Sequence, residues 1–167
     1  MSPQALDRRL LVLARTRGHS PSAERVISAY SRTGEHAACW LALGLGGALR
    51  DGAGERRRDW LRGARIVATA YALNTAVKFV IRRPRPRLPD LPPLTPTVSR
   101  LSFPSAHATT SFAAAAAYGG LVSRAALYTL ATGFALSRTY LGVHYPSDVV
   151  AGALLGTAIA ELWPEAG

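Results

Sequence analysis

The chain is 167 residues long, the size of one domain, with 20 Lys and Arg against 10 Asp and Glu and a formal net charge of +10. It is 49% hydrophobic, yet its mean hydropathy is only +0.10, because arginines separate the apolar stretches. The single Cys39 excludes an intrachain disulfide scaffold and a cysteine metal centre, and the absence of zinc or RRM-type motifs argues against nucleic acid as the partner of the basic charge.

Residues 1–35 form a polar, amphipathic region. Leu6, Leu10 and Leu13, then Val26, Ile27 and Tyr30, recur at helical spacing with Arg8, Arg9, Arg15 and Arg25 between them. This predicts an interfacial helix or helix pair lying on a membrane. The apolar run Leu10–Ala14 is too short, and too closely flanked by arginine, to read as a signal peptide.

Residues 36–167 hold five apolar segments, near 36–49, 64–81, 105–122, 125–141 and 149–163. A spanning helix needs ~20 mostly apolar residues. The first segment is short and the rest lie near the lower limit, so a soluble Ala-rich bundle competes with a membrane bundle. Two features favour the membrane. The segments are apolar all round, and Trp40, Trp60 and Trp163 lie near segment ends, where interfacial aromatics sit. Gly152 and Gly156, four residues apart, and the alanine run 113–117 suit close helix approach, within one chain or between copies in a homo-oligomer. The expected fold is all-α: a polytopic membrane helical bundle of about five spanning helices after the N-terminal amphipathic region.

The connection 82–104 holds seven of the eleven prolines, which favours an extended, non-helical path. Counting crossings places its neighbours together. Lys78, the one lysine in the chain, and Arg85 stand at the exit of the second apolar segment. Ser105 and His107 open the third. Arg138 and His144 follow the fourth, and Asp148 precedes the fifth. If every segment crosses, all of these residues share one membrane face. Charge in that setting is costly and is usually functional.

The residue types fit phosphate. In Pro104-Ser105-Ala106-His107, Ser105 is the expected N-cap of a helix whose free N–H groups and positive dipole end suit a phosphoryl oxygen. Asp148, four residues after His144, can bond one ring nitrogen and leave the other free as base or nucleophile. Lys78, Arg85 and Arg138 can neutralise a phosphoryl group and the charge that develops on transfer. Each element alone has a plainer reading: a cap, a bystander histidine, or basic side chains snorkelling to the interface.

Their ordered combination is specific. Lys78, six residues, Arg85-Pro86, then Pro104-Ser105-x-His107, then Ser137-Arg138, five residues, His144, three residues and Asp148 resembles the type 2 phosphatidic acid phosphatase (PAP2) superfamily. The resemblance implies a nucleophilic His144 that forms a phosphohistidine, oriented by Asp148, with His107 as general acid. It assigns Lys78, Arg85, Ser105, Ala106 and Arg138 to phosphoryl binding, and it implies that neither metal nor cofactor is needed. The family usually has glycine at the position of Ala106. Its membrane members commonly have one more spanning helix than is counted here, so either the N-terminal region stands in for it or neighbouring subunits complete the bundle.

The short chain, its arginine bias and the stretch SFPSAHATTSFAAA resemble small actinobacterial members that act on decaprenylphosphoryl-phosphoribose in arabinan precursor synthesis. The implied partners are a lipid-linked phosphorylated substrate and the bilayer of a bacterial plasma membrane, with no nucleic acid. Prenyl pyrophosphate and phosphatidylglycerophosphate are alternative substrates, and a non-catalytic membrane scaffold is the alternative role. Arg82, Arg83, Arg87 and Arg100 either hold a second phosphate or decorate a solvated loop. Arginine is too evenly shared between the two faces to orient the chain in the membrane.

Overall fold

The computed structural model describes residues 2–164. They form seven α-helices: α1 (Pro3–Thr16), α2 (Pro21–Thr33), α3 (Ala38–Arg50), α4 (Glu55–Ile81), α5 (Ala106–Ala117), α6 (Arg124–Tyr140) and α7 (Pro146–Glu161). There is no β-strand among the described residues, so the all-α expectation holds. The starts are legible in the sequence. Pro3, Pro21 and Pro146 open their helices, where a missing N–H costs nothing. The Ser2 and Ser20 hydroxyls cap α1 and α2 by accepting from the Ala5 and Ala23 amides. α4 begins at Glu55, well before the expected 64, because nothing between Gly54 and Ala64 compels a break. α5 stops at Ala117, short of 122, where Gly119 and Gly120 withdraw helix propensity.

α5 lies at the centre and packs against α4, α6 and α7. Its small side chains make this possible: Ala108, Ala113, Ala114 and Ala115 are fully buried. Gly152 and Gly156 of α7 face it. A Cβ at Gly156 would lie 2.0 Å from the Thr109 carbonyl oxygen. The glycine pair is therefore the α5–α7 seam within one chain. At the other end, Tyr118 fills the space left by Gly44 and Gly63 and donates its hydroxyl to the Trp40 carbonyl at 3.1 Å. Trp40 donates its ring N–H to Ser111 Oγ at 2.8 Å. Trp40 and Trp60 are 3% and 2% exposed. They are core anchors rather than the interfacial aromatics expected, because Ala- and Gly-rich helices need large rings to fill the space between them.

The outer surface is apolar at Leu45 and Leu49 of α3, Leu73 of α4, Leu130 and Leu136 of α6, and Val150 and Leu154 of α7. Among the described residues only α4, with 27 residues, is long and apolar enough to cross a membrane by length and composition. The expectation of about five full spans is met on that criterion by this helix alone; α3, α5, α6 and α7 have 12–17 residues. At ~1.5 Å per residue these reach roughly 18–26 Å, short of a ~30 Å hydrocarbon core.

The N-terminal region is the predicted helix pair. α1 and α2 pack on α6, and α1 also touches α7. α1 turns Asp7, Leu11 and Arg15 inward and leaves Leu6, Leu10 and Leu13 exposed. The proline-rich connection doubles back on itself. The Arg85 N–H donates to the Arg100 carbonyl at 3.1 Å and the Ser102 N–H to the Arg83 carbonyl at 2.8 Å. That closure brings the end of α4 to the start of α5.

Candidate active site

Lys78, Arg85, Ala106, His107, Arg138 and His144 line one cavity of about 220 Å³. They come from α4, the proline-rich loop, α5, α6 and the α6–α7 turn. Asp148 lies behind His144 and is fully buried. Ser105 is fully buried too, but outside the cavity lining.

The α6–α7 turn presents His144. The Val143 and His144 amides both donate to the Arg138 carbonyl, at 3.1 and 3.3 Å, so the nucleophile candidate and a cation candidate share one turn. The His144 ring is held on both sides. Arg85 Nη1 lies 3.0 Å from Nε2, and Asp148 Oδ2 lies 3.5 Å from Nδ1. A guanidinium only donates, so Nε2 must accept. In the neutral ring the proton is then on Nδ1, facing Asp148. The second contact is long for a hydrogen bond, and Nδ1 is buried with no other partner. The carboxylate is fixed for that role, since its Oδ2 also accepts from the Tyr145 amide at 2.9 Å. Burial, followed by the charges of Arg85, Arg138 and Lys78, holds the imidazole well below its usual pKa. It is neutral at pH 7, and its lone pair is available.

The three cations are anchored differently. Arg85 donates from Nε to the Ser99 carbonyl at 2.8 Å and from Nη1 to the Val143 carbonyl at 2.7 Å. Burial lowers its pKa to about 10, with Asp148 pulling the other way, so it keeps its charge. Lys78 donates to the Pro104 carbonyl at 2.9 Å and, at longer range, to those of Ser102 and Leu101 at 3.3 and 3.4 Å. Its ammonium thus secures the segment that enters α5. Arg138 donates from Nη1 to Ser31 Oγ at 2.5 Å, while its buried Nε has no protein partner. Three cations around one cavity repel one another, and a bound phosphoryl dianion relieves that repulsion.

His107, in the first turn of α5, has its Nε2 at 2.9 Å from the Ser31 carbonyl. A carbonyl only accepts, so Nε2 carries a proton and Nδ1 is the nitrogen left for a leaving oxygen. Ala106 opens α5 and its φ is not positive, so the backbone there does not require the family's usual glycine. Ser105 occupies the N-cap position but does not cap with its side chain. Its Oγ is buried without a partner, and its N–H is taken by the Asp148 carbonyl at 2.9 Å. The capping role expected of that hydroxyl is corrected accordingly: its backbone is in the β region usual for a cap, but the side chain makes no bond to the α5 amides.

Ser31 was not foreseen. A serine in the last turn of an amphipathic helix carries no local signal, yet α2 delivers its hydroxyl to Arg138 and its carbonyl to His107. Glu35, His36, Tyr71 and Asn74 also line the cavity. His36 reaches it through left-handed backbone at φ 54°, followed by core Ala37 at φ 61°, and His36 Nδ1 lies 2.7 Å from the Tyr71 hydroxyl. Of the loop arginines weighed for a second phosphate, none lines the cavity: Arg82, Arg87 and Arg100 are exposed, and Arg83 is paired with Asp7 and Asp148.

Known proteins resemble this chain in sequence and fold. The PAP2 superfamily profile matches residues 61–165. The chain is 41% identical over 151 residues to decaprenylphosphoryl-5-phosphoribose phosphatase of Mycolicibacterium smegmatis, covering 90% of this chain and 83% of the relative. It is likewise 41% identical over 137 residues to the Mycobacterium tuberculosis protein of that name, covering 82% and 76%. Among solved structures it is similar to the transmembrane PAP2-type phosphatidylglycerolphosphate phosphatase of Bacillus subtilis, with a TM-score of 0.77 and 25% identity over 95% of this chain and 83% of that one. Aquifex aeolicus LpxE shares the fold, with a TM-score of 0.73 at 23% identity over 94% and 93% of the two chains. With the profile covering most of its length and relatives well above 30% identity, the chain belongs to the PAP2 superfamily.

Proposed function

We propose that this phosphatase hydrolyses the phosphate monoester of a polyprenyl-linked phosphoribose, without a metal, through a phosphohistidine on His144. The observation that carries the reading is the convergence of Lys78, Arg85, Arg138, His107 and His144 on one cavity. His144 Nε2 attacks phosphorus as the phosphoester P–O bond breaks. The leaving oxygen takes a proton from His107 Nδ1, which the ring carries as an imidazolium once the phosphoryl dianion offsets the surrounding cations, its Nε2–H staying on the Ser31 carbonyl. Water, deprotonated by the same nitrogen, then attacks the phosphohistidine, and inorganic phosphate departs. The cations hold the equatorial oxygens throughout, where charge develops.

The shape of the cavity supports a lipid-linked substrate. At about 220 Å³ it is smaller than the ~300–1,000 Å³ pockets that enclose a drug-sized ligand. It admits a phosphorylated headgroup and leaves a long chain outside. Two of its lining residues, Phe79 and Val98, are 61% and 82% exposed, and Val80 and Ile81 continue that apolar rim. His36 and Tyr71, also in the lining, offer hydrogen bonds suited to sugar hydroxyls. The 41% identity to two mycobacterial phosphoribosyl-lipid phosphatases favours this substrate over phosphatidylglycerophosphate.

On this reading residues 36–167 form a phosphatase domain embedded in the plasma membrane, with α3–α7 in the bilayer and the exposed leucines toward lipid, while residues 1–35 lie at its surface. The apolar exteriors of α3, α6 and α7 support this, as does the transmembrane Bacillus relative. Detergent-purified protein in EDTA, offered prenylphosphoryl-phosphoribose, a prenyl pyrophosphate and phosphatidic acid in parallel, should release phosphate fastest from the first, and His144→Ala should release none. Preference for another lipid would reassign the substrate. Release that survives His144→Ala would end the phosphohistidine mechanism.

A further inference from the structure

α1 is unusual for a surface helix: Leu6, Leu10 and Leu13 face outward while Asp7 and Arg15, beside the buried Leu11, are each only 5% exposed. Buried charges need partners, and those of Asp7 lead to the catalytic pair. Its Oδ1 accepts from the Ser147 amide at 2.9 Å. Its Oδ2 accepts from Arg83 Nη2 at 2.7 Å and from the Ser147 hydroxyl. Arg83 Nη1 donates in turn to Asp148 Oδ1 at 2.7 Å and to Ser147 Oγ at 2.7 Å, and its guanidinium lies 4.1 Å from the centre of the Tyr145 ring. Asp148 has then spent one oxygen on Arg83 and turns the other to the Tyr145 amide and the His144 ring.

We infer that Arg83 and Asp7 are positioning residues for the His144 nucleophile, acting through Asp148; this rests on the phosphohistidine reading above. Arg83 is the counter-ion that lets a fully buried Asp148 remain a carboxylate, and its planar fork fixes which oxygen faces the imidazole. Asp7 fixes the fork. The two carboxylates also take up amides at the start of α7, where a helix end favours negative charge. Arg15 pins the same helix at its other end, donating to the Pro92 carbonyl at 2.8 Å and the Tyr140 carbonyl at 3.4 Å. The N-terminal helix therefore sets the aim of a nucleophile more than one hundred residues away in sequence. Neither Asp7 nor Arg83 lines the cavity, which separates this role from substrate binding.

The test is steady-state phosphate release by Arg83→Gln, Arg83→Lys, Asp7→Asn and the double variant Asp7→Asn/Arg83→Gln, beside His144→Ala. Competition by inorganic phosphate reports an intact cavity in each variant. Arg83→Gln should lower kcat about 10²-fold, the scale of a displaced reacting group, with KM and the phosphate inhibition constant unchanged. Arg83→Lys should recover part of the loss. Asp7→Asn should lower kcat less than Arg83→Gln, and the double variant should be no worse than Arg83→Gln alone, since the residues act in series. An unchanged kcat in Arg83→Gln, a loss confined to KM, or independent losses that multiply in the double variant would overturn the inference. So would loss of phosphate competition in all the Arg83 and Asp7 variants, which would make the network general support for the fold. An active His144→Ala would instead sink the underlying mechanism, so the two failures are told apart.

Discussion

Arg85 Nη1 lies 3.0 Å from His144 Nε2, and this contact writes the proton distribution of the nucleophile into the structure. Because the guanidinium has no lone pair to offer, the attacking nitrogen is held unprotonated and the proton is directed to Nδ1, beside Asp148. On the mechanism proposed above, the same cation stands beside the phosphorus when Nε2 attacks, so one side chain prepares the nucleophile and receives the charge.

Replacing Arg85 by Gln should therefore cost more than an ordinary phosphate contact. Removal of one preorganised donor to a transition state typically costs about 10²–10³ in kcat, and that is the expected minimum here. Lysine should not restore it, since a point charge cannot reach the Ser99 and Val143 carbonyls together with the ring. Single-turnover kinetics with saturating substrate would read the loss directly in phosphoenzyme formation.

His107 should show its role through the leaving group. His107→Ala should lose about 10²–10⁴ in rate with an alkyl phosphate, the usual reach of a general acid. With p-nitrophenyl phosphate, whose leaving oxygen needs no proton, the loss should shrink to tenfold or less. Equal losses on both substrates would remove His107 from acid catalysis.

The depressed pKa of His144 carries a signed stability prediction. Its folded value lies well below the ordinary histidine pKa of ~6.5, so the unfolded chain binds the proton first. The stability contributed by the neutral ring is fully present above about pH 6.5 and is lost as pH falls from there toward the folded pKa. Thermal unfolding of detergent-solubilised protein from pH 8 to pH 5 should show falling stability below about pH 6.5, and His144→Ala should flatten that slope. An identical slope in the variant would assign the acid lability to other groups.

The α5–α7 seam should tolerate nothing larger than glycine at position 156. A Cβ there would meet the Thr109 carbonyl oxygen at 2.0 Å, a backbone atom that cannot swing away. Gly156→Ala should destabilise by about 1–3 kcal/mol or more, the range for overpacking, and it should reduce activity because Asp148 rides on the displaced helix. Gly46→Ala is the matched control, since nothing lies within 4 Å of its added Cβ, and it should be neutral or slightly stabilising. Thermal unfolding of the two variants side by side decides the point.

What the sequence by itself determined is local and chemical. Proline and serine set the starts of α1, α2 and α7, long apolar runs set the helices of the bundle, and the ordered series Lys78, Arg85, His107, Arg138, His144 and Asp148 carried the chemistry proposed above, because phosphoryl transfer calls for cations and histidines of that kind. Tertiary structure alone decided the rest. It put Trp40 and Trp60 in the core rather than at an interface, because the spaces they fill are made by glycines and alanines on other helices. It turned Leu6, Leu10 and Leu13 of α1 outward and buried Asp7 and Arg15 with Leu11. It brought Ser31 to Arg138 and His107, and it made Arg83 a counter-ion of Asp148 rather than a ligand for a second phosphate. Each of these depends on a partner far away in the chain. A residue's spacing along its own helix records which face it occupies, but not which distant group that face will meet.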